Sequence, residues 1–220
     1  NGIYDPRARD SWGDRIADRP GGPDDVNTNG EFYIDQDGRI YYPVINKNDR
    51  TTFQDENFDL IFGNGQFLEN NLSISGGNER STFFFSFSDM NQDGIVQNNS
   101  DYRRSTARFN GRHLFSDKVR MKVSSSYART ASNRIQKGAS SSGLYLGLLR
   151  TPADFNNVGY RGEYYAGPDA SPILNRHRSY REPLAGDGTP VYNNPSWTIN
   201  EQEDRANVDR FISSFELTVS

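Results

Sequence analysis

The stretch Asp89-Met90-Asn91-Gln92-Asp93-Gly94 has the spacing of the first half of a calcium loop, where oxygen ligands at alternate positions face one ion and glycine permits the sharp turn. The second half does not follow. Its twelfth position is Ser100, where a bidentate glutamate is needed, and strands flank it where helices should. The segment is therefore read as a plain turn from Asp89 to Asp101, and Asp35-Gln36-Asp37-Gly38 as a shorter one. His113 and His177 have no second ligand at helical or strand spacing and read as ordinary polar positions. Glu201, Glu203 and Asp204 could pair as hydrolytic carboxylates, but they stand in a charged, Asn-rich stretch that reads as solvated loop. Asn71-Leu72-Ser73 and Asn98-Asn99-Ser100 match the glycosylation sequon by chance in an Asn-rich chain. Cysteine is absent, which removes thiol nucleophiles, thiolate metal sites and disulfides together. The expectation is no catalytic residue, no cofactor and no metal.

Binding chemistry is better represented. Tyr160, Arg161, Tyr164, Tyr165, Tyr180 and Trp197 supply aromatic faces and hydrogen-bond donors that suit sugars or peptides. Tyr and Trp also pack loops and line membrane interfaces, and Tyr102 and Tyr127, near strand ends, are read as such a girdle. With 25 Lys plus Arg against 29 Asp plus Glu, the chain has no basic excess for nucleic acid.

The elements that must position these residues are mainly strands. Residues 1–66 read as loop, rich in turn signals such as Arg19-Pro20-Gly21-Gly22-Pro23. From Phe67 apolar residues recur at every second position. Residues 67–131 give four strands in two hairpins, residues 132–203 a long loop with a short helical segment around Leu144–Leu149, and residues 204–220 a fifth strand. One face of these strands carries Leu72, Ile74, Phe83, Phe85, Phe87, Phe109, Val119, Met121, Val123, Phe211, Phe215 and Leu217. The other carries Arg104, Arg108, Arg112, Arg120 and Lys122 among Ser, Thr and Asn. Each run is about ten residues or more, enough to cross a hydrocarbon layer at a tilt near 45°. The connections alternate short and long, as in outer-membrane barrels with short periplasmic turns. On this reading the first face touches lipid and the second lines a lumen, where its cations pair with plug carboxylates. Turns at Gly76 to Arg80 and Ser116 to Lys118 are then periplasmic, and residues 1–66, 90–101 and 132–203 extracellular. A mean hydropathy of −0.86 is compatible, since only alternate residues of such strands are apolar.

Three segments resemble, in sequence and order, the early barrel of the SusC/RagA family of TonB-dependent outer-membrane transporters. They are Asn70-Asn71-Leu72-Ser73-Ile74-Ser75-Gly76-Gly77-Asn78-Glu79, then Asn91-Gln92-Asp93-Gly94-Ile95-Val96, then Asn194-Pro195-Ser196-Trp197 running into Asp209-Arg210-Phe211-Ile212. Ser11-Trp12-Gly13 and Gly143-Leu144-Tyr145-Leu146-Gly147-Leu148-Leu149-Arg150-Thr151-Pro152 resemble that family too, so that the likeness covers most of the chain from about residue 55. The resemblance implies part of a 22-stranded barrel in a Gram-negative outer membrane, plugged by an N-terminal domain and energised through TonB. It also implies a SusD-like surface lipoprotein as partner and oligosaccharides or peptides as cargo. Against that pattern the chain shows no plug and about five strands, and reads as a fragment. The rival reading is a secreted soluble β-sandwich that binds carbohydrate, whose buried face would alternate in the same way. Strand length separates the two, because soluble strands are typically half as long.

Overall fold

The computed structural model describes residues 14–135, 137–138, 143–180 and 192–219. In chain order they form β1 (Asp25–Val26), β2 (Phe32–Asp35), β3 (Ile40–Tyr41), β4 (Val44–Asn46), α1 (Gln54–Asp59), β5 (Phe67–Gly77), β6 (Ser81–Asp93), β7 (Asp101–Ser116) and β8 (Val119–Asn133). Then follow α2 (Leu144–Arg150), β9 (Arg161–Tyr165), β10 (Ile173–His177), α3 (Pro195–Asn200) and β11 (Arg205–Val219). All sheets among the described residues are antiparallel and the helices are short, so the protein is all-β. The chain divides into two compact units: Asn64–Arg134 with Glu203–Ser220, and Asn1–Gly63 with Ile135–Gln202.

The first unit is a single sheet in the order β11-β8-β7-β6-β5. Its strands are 11 to 16 residues long and pair almost without interruption, the one irregularity lying between Leu114 and Ser116. The β5–β6 hairpin is tight because Gly77, at φ +154°, brings the chain so close to Ser81 and Thr82 that a Cβ would meet their backbone. Asn78 then closes the turn, its Oδ1 accepting from the N–H groups of Arg80 at 3.0 Å and Ser81 at 2.8 Å. One expectation needs correcting here. The Asp89–Asp101 segment is not a single turn, since β6 runs through to Asp93 and Asp89 pairs with both Asn70 and Ser105. An extended strand sends successive side chains to opposite faces, so the half-motif at Asp89 cannot wrap an ion. Asn and Asp are poor strand formers, and here partners on both sides hold them extended.

The second unit corrects a larger expectation. Residues 1–66 and 132–203 are not two separate loops. Their described parts build one folded body, in which the sheet β10-β9-β2-β3 combines residues 32–41 with residues 161–177 and a second small sheet pairs β1 with β4. Tyr33, Ile61, Leu144, Leu148, Tyr164 and Ile199 form its buried apolar interior. The helix α2 buries Leu144, Gly147 and Leu148, and Gly147 lets Asn193 and Pro195, at the start of α3, approach closely. Asn194 caps α3 by accepting from the Ser196 N–H at 2.8 Å, with Pro195 at the first helical position. Ser11-Trp12-Gly13 lies outside the described residues.

Charge also holds this unit. The buried Arg19 guanidinium donates to Asp14 at 2.6 Å and to Asp154 at 2.8 Å, and Lys47 meets Asp24 at 2.6 Å. The Arg19 hydrogen bond holds the Asp14 carboxyl below its ordinary value. For Asp24, burial works upward, but the Asp49 and Asn48 N–H groups and the Lys47 ammonium outweigh it, and its pKa is also lowered. Both folded values lie below the unfolded ~3.9. The stability they contribute is therefore complete above that value and lost as pH falls through the depressed folded values. Acid titration of the full-length protein, followed by the near-ultraviolet tyrosine signal, should show loss of this unit confined to below about pH 4. The variant carrying Asp14→Asn and Asp24→Asn should titrate over a flatter acid limb, and an unchanged acid limb would refute the assignment.

Candidate functional site

The register of the large sheet sorts its side chains into two faces. Across the strands, Leu72, Phe87, Ala107, Tyr127 and Phe211 form one row, and Ile74, Phe85, Phe109, Ser125 and Ser213 the next. Then come Gly76, Phe83, Gly111, Val123 and Phe215, followed by Ser81, His113, Met121 and Leu217, and by Ser116, Val119 and Val219. All twelve residues expected to share a face lie in these rows. The glycines are covered, since the Phe83 ring lies over Gly76 and the Phe109 ring over Gly111. In the protein chain alone this face is open: Phe85 is 37% exposed, Phe215 65% and Phe211 69%. Polar exceptions are internally matched, as Ser125 and Ser213 hydroxyls meet at 2.8 Å. The row of Asn70, Asp89, Ser105, Arg129 and Asp209 ends the apolar band, with the Tyr127 hydroxyl donating to Asp209 at 2.5 Å.

The opposite face holds Arg104, Arg108, Arg112, Arg120, Lys122 and Arg210 against Glu69 and Glu216, among Ser and Thr. Tyr102 lies here, paired with Gln92 and Ser132, so it is not on the apolar face with Tyr127 and cannot share a girdle with it. Tyr102 and Arg104 stand two positions apart on one strand, which puts their side chains on the same face. Both edge strands, β5 and β11, have one unpaired backbone edge among the described residues.

In the second unit the aromatic residues singled out for binding separate into different roles. Tyr164, expected among the binding residues, is 4% exposed and its hydroxyl donates to Glu31, so it belongs to the core and offers no surface to a ligand. Tyr165 stacks on Phe32 at 4.4 Å and donates to Glu163. Tyr180 meets Phe155 edge to face. Tyr160, Arg161 and Trp197 do come together: Tyr160 and Arg161 both donate to Glu201 at 3.1 Å, and Trp197 packs against Tyr160 and His177. Glu201 is thus tied into structure rather than lying in a solvated loop. Burial pushes His177 below the ordinary histidine value, keeping the ring neutral near pH 7.

Sequence reasoning passed over Arg178. Its side chain is buried, with the guanidinium 3.9 Å from the Tyr41 ring centre and 4.4 Å from that of Phe155, donating to the Gly159 and Asn156 carbonyls. Tyr41 donates in turn to the buried Asp35. A lone Arg in a polar stretch gives no signal of this, because its partners lie up to about 140 residues away. No group of three or more His, Cys, Asp or Glu among the described residues could hold a metal. No protein-family model matches the chain, and no curated protein matches it either.

Proposed function

We propose that the five-stranded sheet is a segment of the wall of a transmembrane antiparallel β-barrel in a Gram-negative outer membrane. We read it as part of a transporter resembling the SusC/RagA family, importing oligosaccharides or peptides. One observation carries this reading: a predominantly apolar face, exposed in the chain, on strands long enough to cross a membrane. On β8 the apolar band runs over the nine residues from Val119 to Tyr127, which at ~3.3 Å each and a tilt near 45° rise ~21 Å, close to the ~25 Å apolar band of outer-membrane barrels. A soluble protein rarely leaves so large an apolar surface uncovered. The face opposite is polar, as a lumen requires, and Phe67, Asn133 and Arg205 all stand at the sheet end that bears the long connections. In hydrocarbon both open edges need further strands, so closure calls for more of the barrel than these five. A SusD-like lipoprotein, TonB acting through a plug region, and outer-membrane lipid are the partners this reading entails, and the reading needs no enzyme chemistry.

The chain has no cysteine, so introduced thiols can carry an environment-sensitive fluorophore. Labels at Phe85→Cys and Phe109→Cys should be quenched by brominated lipids in vesicles, and labels at Ser86→Cys and Ser126→Cys should not. Equal quenching from both faces, or a full-length protein that stays monodisperse without detergent, would return the soluble sandwich reading.

A further inference from the structure

The polar face of the large sheet is not uniform. Thr82, Arg112, Lys122 and Glu216 form one row across four strands, and Phe84, Asn110, Ser124 and Ser214 the adjacent one. These eight residues line an open hollow of ≈ 490 Å³, within the ~300–1,000 Å³ range of small-molecule sites. Phe84 is the only aromatic ring in these two rows, and it is 38% exposed. A phenyl ring exposed among hydroxyls and amides offers a flat apolar platform.

Around that platform the chemistry is graded. On one side the Ser124 hydroxyl donates to Asn110 Oδ1 at 2.8 Å, which orients the amide and turns its N–H₂ toward other acceptors. On the other, Lys122 pairs with Glu216 at 3.1 Å, while Arg112, directly opposite Lys122, has no carboxylate within ion-pair distance among the described residues. The charged groups of the hollow are thus two cations and one anion, with a net positive charge centred on a guanidinium. A guanidinium binds a carboxylate through two parallel N–H donors, which fixes direction as well as sign.

We propose that this hollow is a binding site for an acidic sugar of the hexuronate class. The ring's C–H face stacks on Phe84, its hydroxyls meet Asn110, Ser124 and Ser214, and its carboxylate meets Arg112. The arrangement draws on β6, β7, β8 and β11 within one unit, so the proposal does not rest on the membrane reading and goes beyond it by naming a charged ligand.

The test is titration calorimetry on the full-length protein with galacturonate oligomers, neutral galactose oligomers of equal length, and benzoate as a non-sugar carboxylate carrying a ring. Selective binding of the galacturonate oligomer is expected, weakened by salt. Arg112→Gln should weaken it at least tenfold, Phe84→Ser should weaken it severalfold, and Arg112→Lys should restore part of the loss. Lys118→Gln, a cation in the β7–β8 turn outside the hollow, should leave it unchanged. Equal binding of neutral and acidic oligomers, benzoate outcompeting the sugar, or full affinity in Arg112→Gln would each overturn the proposal. Arg112 and Phe84 are exposed, so their variants are expected to keep the fold, checked by far-ultraviolet circular dichroism, and the fluorophore readout on the apolar face is independent of the result.

Discussion

Phe85→Arg is expected to abolish stable insertion of the protein into lipid vesicles, while Ser86→Arg, one residue along, inserts as the unchanged protein does. Phe85 sits in the row of Ile74 and Phe109, between the polar row that bounds the apolar band and the short-turn end of the sheet. On the barrel reading this is well inside the hydrocarbon, where a lipid-facing Arg costs about 2–4 kcal/mol. That corresponds to roughly 30-fold to 1,000-fold in the folding equilibrium, before the lost contacts of the phenyl ring are counted. Ser86 pairs with Ser73 and Arg108 on the opposite face, where another cation remains hydrated. The measurement is urea titration of vesicle-inserted protein, with the fraction resistant to protease as readout. Equal stability of both variants would mean that the two faces see the same medium, and no barrel wall allows that. A loss in Ser86→Arg alone would exchange the assignments of the faces.

The large sheet was legible because its signal is local and repeated. Phe83, Phe85 and Phe87 alternate within five residues, as do Val119, Met121 and Val123, and hairpin partners lie close in sequence, so one period-2 pattern fixes strand, face and neighbour together. The end of β6 was not legible, because Asp89 to Asp93 carries turn-forming residues whose strand conformation comes from partners on both sides. The second unit was scarcely legible at all. Its strands are two to five residues long, too short to show a period, and Tyr33 finds Tyr164 across a separation that no sequence window spans. The same holds for the binding candidates. Residue type selected Tyr160, Arg161 and Trp197, which do cluster, and Tyr164, which is core, because an aromatic side chain serves either role and only its neighbours decide. In the sequence Phe84 breaks the alternation set by Phe83, Phe85 and Phe87. Its meaning needed the register that sets it beside Asn110 and next to the Arg112 row.

Arg178→Ala should open the second unit while leaving the large sheet folded. Burial draws the Arg178 pKa below the ordinary arginine value, and the Tyr41, Tyr33 and Asp35 groups oppose that shift. Removing the side chain strands the Gly159 and Asn156 carbonyls and takes the nearby cation away from buried Asp35. It also leaves a void against the Tyr41 and Phe155 rings. Breaking a buried charged network by deleting one member costs ~3–5 kcal/mol, which raises the opened population by about two to three and a half orders of magnitude. Arg178→Lys should fall between, since an ammonium keeps the charge but cannot reach two carbonyls while lying flat over two rings. Limited proteolysis of the full-length protein reads both outcomes at once, through cleavage rates within residues 143–180 and survival of the strands from Phe67 to Asn133. If Arg178→Ala is cut no faster than the unchanged protein, the guanidinium is not what ties β2, β3 and the segment after β10 together. The remaining candidate would then be Asn194, whose amide donates to the Arg178 carbonyl at 2.8 Å and whose loss would uncap α3.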